Sequence, residues 1–297
     1  MENEKNILLN EGTLLDLEGN KPFLLDDEES VWIVHSGVVD IFVVKSVDGK
    51  QVGSRNHLLR AEAGRALFGI DCNKHGKEIK LLASPGIGTR LLKMDKERLK
   101  TLSIKSEFAV EIADLMDSWV SVISSGIITG DFPTNRKYLS SADEVCLDEA
   151  QTSSAEDGVV WVKLFEGEMD FIGQETLLLK PADSYFPVST HSWLRAAAKS
   201  RICILDTPIF IKENTAWKSL DRFHKIVIDC VALNLKLTEE REKTRLKNRS
   251  ENDRFYMKSA ITRLSEILRI GAARIPFGEI DDPLFRVCQL VGKTLGI

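Results

Sequence analysis

The chain has 297 residues, 43% hydrophobic and 29% charged, with a formal charge of -5, a globular composition of a length suited to about two domains. The net acidity gives no global attraction to nucleic acid, and no run approaches the roughly 18 apolar residues that a membrane span requires. Five cysteines (Cys72, Cys146, Cys203, Cys230, Cys288) lie far apart without a C-x-x-C pair, which argues against zinc and against a disulfide framework and predicts reduced, mostly buried thiols. Met1-Glu2-Asn3-Glu4-Lys5 opens neither a signal nor a transit peptide, so a cytoplasmic location is expected.

Residues 1–94 read as a first β-roll. Phe23-Leu24-Leu25 is a short apolar strand, residues 26–30 form a polar turn, and residues 31–34 and 38–44 are predicted to pair as a hairpin around Gly37. Asp48-Gly49 marks a tight turn, and a second turn at Glu62-Ala63-Gly64-Arg65 leads into Ala66-Leu67-Phe68-Gly69-Ile70. Short strands between glycine turns spaced roughly 8 to 12 residues apart indicate an all-β unit. From Asp95 the period changes: Leu99, Leu102, Phe108, Ile112, Leu115, Trp119, Val122 and Ile123 make the stripe of an amphipathic connecting helix over residues 95–128.

A second roll is expected over residues 136–207, because the first pattern recurs. Val31-Trp32-Ile33-Val34-His35-Ser36-Gly37-Val38-Val39-Asp40-Ile41-Phe42 is echoed by Val160-Trp161-Val162-Lys163-Leu164-Phe165-Glu166-Gly167-Glu168-Met169-Asp170-Phe171. Each has a β-branched and aromatic strand, a glycine, an aspartate three residues on, and a strand opening in an aromatic. A long helix follows over 208–250, with Leu220, Phe223, Val227, Val231, Leu235 and Leu246 inward and Asn214 or Thr215 as its cap. Residues 251–297 read as a helical segment: a helix over 253–270 ending at Gly271, then a short one with Pro283 in its first turn. The close at Gly296-Ile297 without a polar tail reads as a cut. The fold class is thus mainly β with helices (α+β), two β-rolls of the cyclic-nucleotide-binding or cupin-like jelly-roll shape, each followed by helices, plus a C-terminal helical segment.

A cyclic-nucleotide pocket needs backbone N–H groups and an arginine for the phosphate and a glutamate for the ribose, carried as Gly-Glu and, some ten residues on, Arg-x-Ala. The first copy offers Phe68-Gly69-Ile70 and then Leu81-Leu82-Ala83, with neither acid nor arginine. The second offers Phe186-Pro187-Val188 and then Leu194-Arg195-Ala196-Ala197. Arg195 is the sole candidate anion ligand, and the rim or surface role is the commoner fate of such a residue. Histidines 35, 57, 75, 191 and 224 show no metal-ligand spacing, so no metal site is expected. Val291-Gly292-Lys293-Thr294 resembles the end of a phosphate loop but has Val287 where the first glycine belongs. No nucleophile motif appears, so no catalytic residue is assigned and no cofactor is called for. Arg241, Lys243, Arg245, Lys247 and Arg249 recur every second residue among Glu239, Glu240 and Glu242, which suits a solvated helix, with contact to an acidic or anionic lipid surface as the second reading.

The residue 31–42 motif, Gly64-Arg65-Ala66-Leu67-Phe68-Gly69-Ile70, Asp282-Pro283-Leu284, Val291-Gly292 and Leu295-Gly296-Ile297 together resemble the N-terminal region of ATP-binding-cassette exporters for peptide precursors with a nitrile-hydratase-type leader. In that family tandem cyclic-nucleotide-binding-like rolls precede the membrane-spanning region and ATPase. The resemblance implies a non-enzymatic cytoplasmic accessory or regulatory module, partnered by the exporter's membrane and ATPase domains or by the leader peptide, close to the membrane's inner face. The alternative is a cyclic-nucleotide or other small-molecule sensor that signals through its helices, and a third reading is a transcription regulator, disfavoured by the negative charge and the lack of a recognition helix. The helices after each roll are also suited to pairing two chains as a homodimer.

Overall fold

A computed structural model describes residues 7–19, 21–47, 50–128, 130–213 and 215–274. The expectations that fall on Asp48-Gly49, Asn214, Pro283, Cys288 and residues 291–294 lie outside these. Two compact units divide the chain, Met1–Asn234 and Leu235–Ile297.

The first unit is mainly β and carries two rolls. After a 3-10 turn at Ile7–Glu11 come β1 (Thr13–Asp16), β2 (Phe23–Leu24), β3 (Ser30–Ser36), β4 (Val38–Val47), β5 (Lys50–Glu62), β6 (Ala66–Phe68), β7 (Ile79–Pro85) and β8 (Arg90–Asp95). Helices α1 (Lys96–Ser103) and α2 (Ser106–Ile127) follow. The second roll has β9 (Arg136–Leu139), β10 (Ala142–Leu147), β11 (Thr152–Ala155), β12 (Val159–Glu166), β13 (Met169–Phe171), β14 (Gln174–Leu179), β15 (Phe186–Ser189), β16 (Leu194–Ala196) and β17 (Ser200–Asp206), then α3 (Thr207–Phe210) and α4 (Thr215–Arg274).

The sheets repeat strand for strand. In the first roll the orders are β1-β8-β3-β6 and β2-β7-β4-β5; in the second they are β10-β17-β12-β15 and β14-β13-β16-β11-β9. Each strand of one copy thus has its counterpart in the other, and β9 alone is added, in parallel alongside β11. The strands flanking Gly37 are not a hairpin. β3 pairs with β6 and β8, whereas β4 pairs with β5 and β7, so Gly37 marks the corner where the chain leaves one sheet for the other. Gly167 turns the same corner between β12 and β13. A bulge precedes the glycine in both copies, at Val34/Ser36 and at Leu164/Glu166. Bulge and left-handed glycine (φ 84° and 91°) together bend the strand out of its sheet. A hydroxyl closes each corner from across the roll, from just before β8 or the start of β17: Thr89 Oγ1 donates to the Val38 carbonyl at 2.9 Å and Ser200 Oγ to the Glu168 carbonyl at 3.2 Å.

The predicted connecting helix is two helices. Asp95 caps α1 by accepting from the Arg98 N–H at 2.9 Å, α1 stops at Ile104, and α2 begins after Lys105. Of the predicted stripe, Val122 is half-buried and the other positions are buried. The break expected between a helix ending near residue 250 and another beginning at 253 is absent: α4 runs unbroken from Thr215 to Arg274. Helix-favouring, charged residues over 239–254 provide no proline or glycine to interrupt it. In the second unit residues 241–247 are all exposed, which places the basic cluster on a solvated helical segment, supported by Lys247 and Glu251 at i, i+4.

The first turns of α4 are buried against both rolls. Phe68 of β6 packs on Trp119, Trp217 and His224, and Phe223 packs on Phe171 and Phe186 of the second roll. Each fully buried aromatic side chain contributes about 3 kcal/mol by removing apolar surface from water. Ion pairs reach to either side, Lys96–Asp221 at 2.6 Å and Lys77–Asp229 at 2.8 Å toward the first roll and Arg222–Asp183 at 2.5 Å toward the second. Within this layer Trp119 Nε1 donates to His224 Nε2 at 2.8 Å. On the next stretch of α2 the Thr207 hydroxyl accepts from Trp161 Nε1 at 2.9 Å and donates to Asp117.

Burial, with the Lys96 charge, pushes the pKa of His224 down to about 3, whereas burial, with Asp114 and Asp206 nearby, pushes that of Asp117 up to about 7. The neutral form is the folded form for both. The His224 contribution is complete above the ordinary histidine value of 6.5 and is lost as pH falls toward about 3. Asp117 acts oppositely, weakening the fold as pH rises from 3.8 to about 7. His224→Gln keeps an acceptor for Trp119, and its unfolding midpoint is expected to decline less than that of the parent between pH 6 and pH 4. Asp117→Asn is expected to exceed the parent by on the order of 2 kcal/mol at pH 8, the side chain being half-buried, with the gap closing toward pH 4. Thermal melts across pH check both, and parallel parent and variant curves would refute the assignment.

Candidate functional site

Superposing the duplicated registers locates the positions that would form a nucleotide site. Trp32 pairs with Leu67 and Trp161 with Pro187, so Phe68-Gly69-Ile70 corresponds to Val188-Ser189-Thr190. The repeated phenylalanine suggests Phe186-Pro187-Val188 instead, a register two residues early that the strand pairing corrects. The arginine strand shifts in the same way. Asp170 pairs with Arg195 and Asp40 with Ser84, so the first-roll counterpart of Arg195 is Ser84, beyond the Leu81-Leu82-Ala83 expected from the sequence.

Arg195 sits on β16 with its side chain 36% exposed, and its Nε donates to Asp170 Oδ2 at 2.8 Å. Asp170 is 1% exposed, and Glu175 lies 3.6 Å from the Arg195 Nη2. These carboxylates hold the guanidinium firmly charged, the Asp170 hydrogen bond above all. A phosphate arriving at Arg195 would meet two carboxylates already on its cation, so Arg195 is placed as the counter-ion of a buried acid. The first roll solves the same problem from the other neighbouring strand: Arg60 of β5 grips Asp40 with both ends of its fork, at 2.8 and 2.9 Å, and His57 adds a 3.1 Å contact.

Backbone donors are committed too. Between β6 and β7 the amides of Gly69, Ile70, His75, Gly76 and Lys77 donate to carbonyls of Ser30, Leu25, Cys72, Asn73 and Cys72, and Asn73 N–H to the Asp71 carboxylate. A Cβ on Gly69 would fall 1.8 Å from the Asp27 carbonyl, so the turn at Gly69 is packed against the segment between β2 and β3. In the second roll only Thr190, His191, Ser192 and Trp193 separate β15 from β16, and Ser189 and Ser192 hydroxyls bond across that tight turn. No group of three or more His, Cys, Asp or Glu side chains converges for a metal among the described residues. No described helix is long and apolar enough to cross a membrane.

The cysteines divide. Cys72 and Cys230 are buried, and burial first, then a neighbouring aspartate, pushes both thiols up to about 12. Cys203 is half-buried and Cys146 is exposed on β10, contrary to the expectation of mostly buried thiols for that residue. An alternating edge strand turns one side chain in two toward solvent.

No protein-family model matches the sequence, and no curated protein matches it. Among solved structures, a CooA variant from Carboxydothermus hydrogenoformans is similar at 14% identity over 42% of this chain and 78% of its own, with a TM-score of 0.31. The Thermus thermophilus catabolite activator protein is similar at 20% identity over 39% of this chain and 53% of its own (TM-score 0.29), so the match spans about half of that protein. The cAMP-bound PfPKA-R is similar at 15% identity over 81% of this chain and 83% of its own (TM-score 0.29). At these scores the fold assignment rests on this chain's own strand pairing, which is that of two β-rolls, each followed by helices.

Replacing Arg195 by alanine strands Asp170 as a buried carboxylate without its cation. The expected cost is on the order of 2 kcal/mol, discounted for the exposure of the arginine, and Asp170→Asn in the same chain should recover part of it. Urea unfolding of the two variants measures this, and an unchanged midpoint for Arg195→Ala would show that the pair does not hold the roll together. In native buffer a thiol reagent is expected to modify Cys146 rapidly and Cys72 and Cys230 only on unfolding, read by mass spectrometry of the labelled peptides.

Proposed function

We propose that this chain is a non-enzymatic cytoplasmic accessory or regulatory module of a peptide exporter, docking on the exporter's membrane and ATPase domains or on its leader-peptide cargo. The observation that carries the non-sensing part is the commitment of both nucleotide positions to the chain's own groups. Arg195 is held by Asp170 and Glu175, Ser84 replaces it in the first roll, and the amides of Gly69, Ile70, Asn73, His75, Gly76 and Lys77 donate to acceptors of the chain itself. The exporter link is supported by the resemblance of the residue 31–42 and 64–70 motifs to the exporters' N-terminal rolls. A role close to the membrane's inner face follows from that link, and the exposed basic segment of α4 is compatible with it.

The discriminating measurement is thermal unfolding against cyclic AMP, cyclic GMP, cyclic dinucleotides and a panel of leader peptides. A ligand at 100 times its dissociation constant adds about 2.7 kcal/mol. The nucleotides are expected to leave the midpoint unmoved and a cognate leader peptide or exporter core to raise it. A shift with any cyclic nucleotide would restore the sensor reading, and absence of association with every leader and with the exporter core would remove the exporter reading.

A further inference from the structure

A cleft of about 270 Å³ opens between the end of α1 and the turn that joins α3 to α4. Its apolar wall is made by Trp217 and Ile211, both buried, and by Ile104, which is 65% exposed. Trp217 is only 5% exposed, yet its Nε1 donates to no described residue and is not sealed from solvent. An indole N–H is a donor only, and a buried ring ordinarily gives it an acceptor. Here the donor is left open on a ring that lines the cleft.

Lys100, Lys212, Lys218, Glu97, Glu213 and Asp221 line the same cleft. Two of the acids are already neutralised, Glu97 by Lys100 and Asp221 by Lys96 at 2.6 Å. Glu213 accepts from the Thr215 hydroxyl at 3.2 Å. Lys212 and Lys218 enter no ion pair among the described residues, so against Glu213 one positive charge is left over. The carbonyls at the end of α1 are also taken: Thr101 Oγ1 donates to Glu97 at 2.9 Å, Ser103 Oγ to Lys100 at 2.8 Å and Lys105 N–H to Leu102 at 2.9 Å. Unpaired lysines occur elsewhere on the surface, Lys199 and Lys225 among them. Lys212 and Lys218 differ in sharing a concave site with an apolar wall and an unspent indole donor. The uncommitted polar groups of the cleft are thus donors with a surplus of one positive charge, and the complement of such a site is an acceptor that carries one negative charge on an apolar body.

We propose that this cleft binds a small organic monoanion, a carboxylate on a flat apolar body. The body packs against Trp217, Ile211 and Ile104, and the carboxylate accepts from the Trp217 N–H and the ammonium groups of Lys212 and Lys218. The site is separate from both nucleotide positions and does not rest on the exporter reading. Because α1 follows the first roll and α4 the second, an anion held by both adds a tie beside that of Lys96 and Asp221.

Equilibrium dialysis of the full chain against naphthalene-2-carboxylate and its neutral isostere naphthalene-2-carboxamide tests it. The acid is expected to bind at least about tenfold more tightly than the amide, and a Lys212→Gln/Lys218→Gln chain to lose that preference. That variant alters two exposed side chains, and a melting temperature equal to the parent's shows that it folds. Trp217→Phe keeps a ring and removes the N–H; with its fold checked in the same way, it is expected to bind the acid about tenfold more weakly. No binding of the acid, equal binding of acid and amide, an unaltered preference in the lysine variant or an unaltered affinity in Trp217→Phe overturns the proposal. So does an equal loss of preference in Arg55→Gln/Lys199→Gln, which removes the same charge outside the cleft and would make the attraction one of net charge.

Discussion

The hydrogen bond from Trp119 to His224 is the constraint on which the arrangement of the first unit turns. An indole N–H buried against Phe68 must find an acceptor or lose the free energy of its hydration, and a ring nitrogen of His224 is placed there to accept it. That nitrogen accepts only while the imidazole is neutral. The surrounding aromatic layer, which excludes the water that would solvate an imidazolium, keeps it so. α2 of the first roll and α4 after the second are therefore joined at a point where the apolar packing and the polar contact require one another.

One further contact obeys the same logic with the opposite charge type. Asp117 receives the Thr207 hydroxyl, which in turn receives the Trp161 indole, so α2 is tied to the second roll by an acid as it is tied to α4 by a base. Between about pH 4 and 6.5 acidification weakens one tie and strengthens the other, which flattens the net dependence there. Charge is excluded from the buried side of α2 and accumulates on its other side, where Glu107, Glu111 and Asp114 stand without cations.

Much of the fold is legible in the sequence because it is carried by local chemistry. The Trp–Gly–Asp pattern marks both rolls since each element needs its residue type: an apolar strand for the buried face, a glycine for the left-handed corner, an acid for a cross-strand arginine. What the pattern does not carry is the partner of each strand. A glycine between two strands looks the same in a hairpin as in a sheet corner, and only the bulge at Val34/Ser36, with the Thr89 hydroxyl arriving from 51 residues away, distinguishes them. The candidate site suffered from the same blindness. Arg195 is legible from its Leu-Arg-Ala context, yet its commitment to Asp170 is a cross-strand relation; the register that makes Ser84 its counterpart rests on Asp40 and Asp170, as that of residues 68–70 rests on Trp32 and Trp161 rather than on the more conspicuous phenylalanines. His224 and Asp117 gave no signal at all, because helical periodicity treats an isolated histidine or aspartate as a surface residue, and only tertiary packing reveals otherwise.

The two copies also separate what the roll needs from what a ligand would need. They share the bulge, the left-handed glycine and the closing hydroxyl, and both neutralise the aspartate that follows, although from opposite neighbouring strands: Arg60 on β5 and Arg195 on β16. Had an anion been the reason for an arginine here, its place relative to the pocket would be fixed and its charge left available. Instead the arginine sits on whichever side of the aspartate the copy supplies, and its charge is spent on that carboxylate. The requirement common to both rolls is a neutral pair behind the corner, which is a demand of folding.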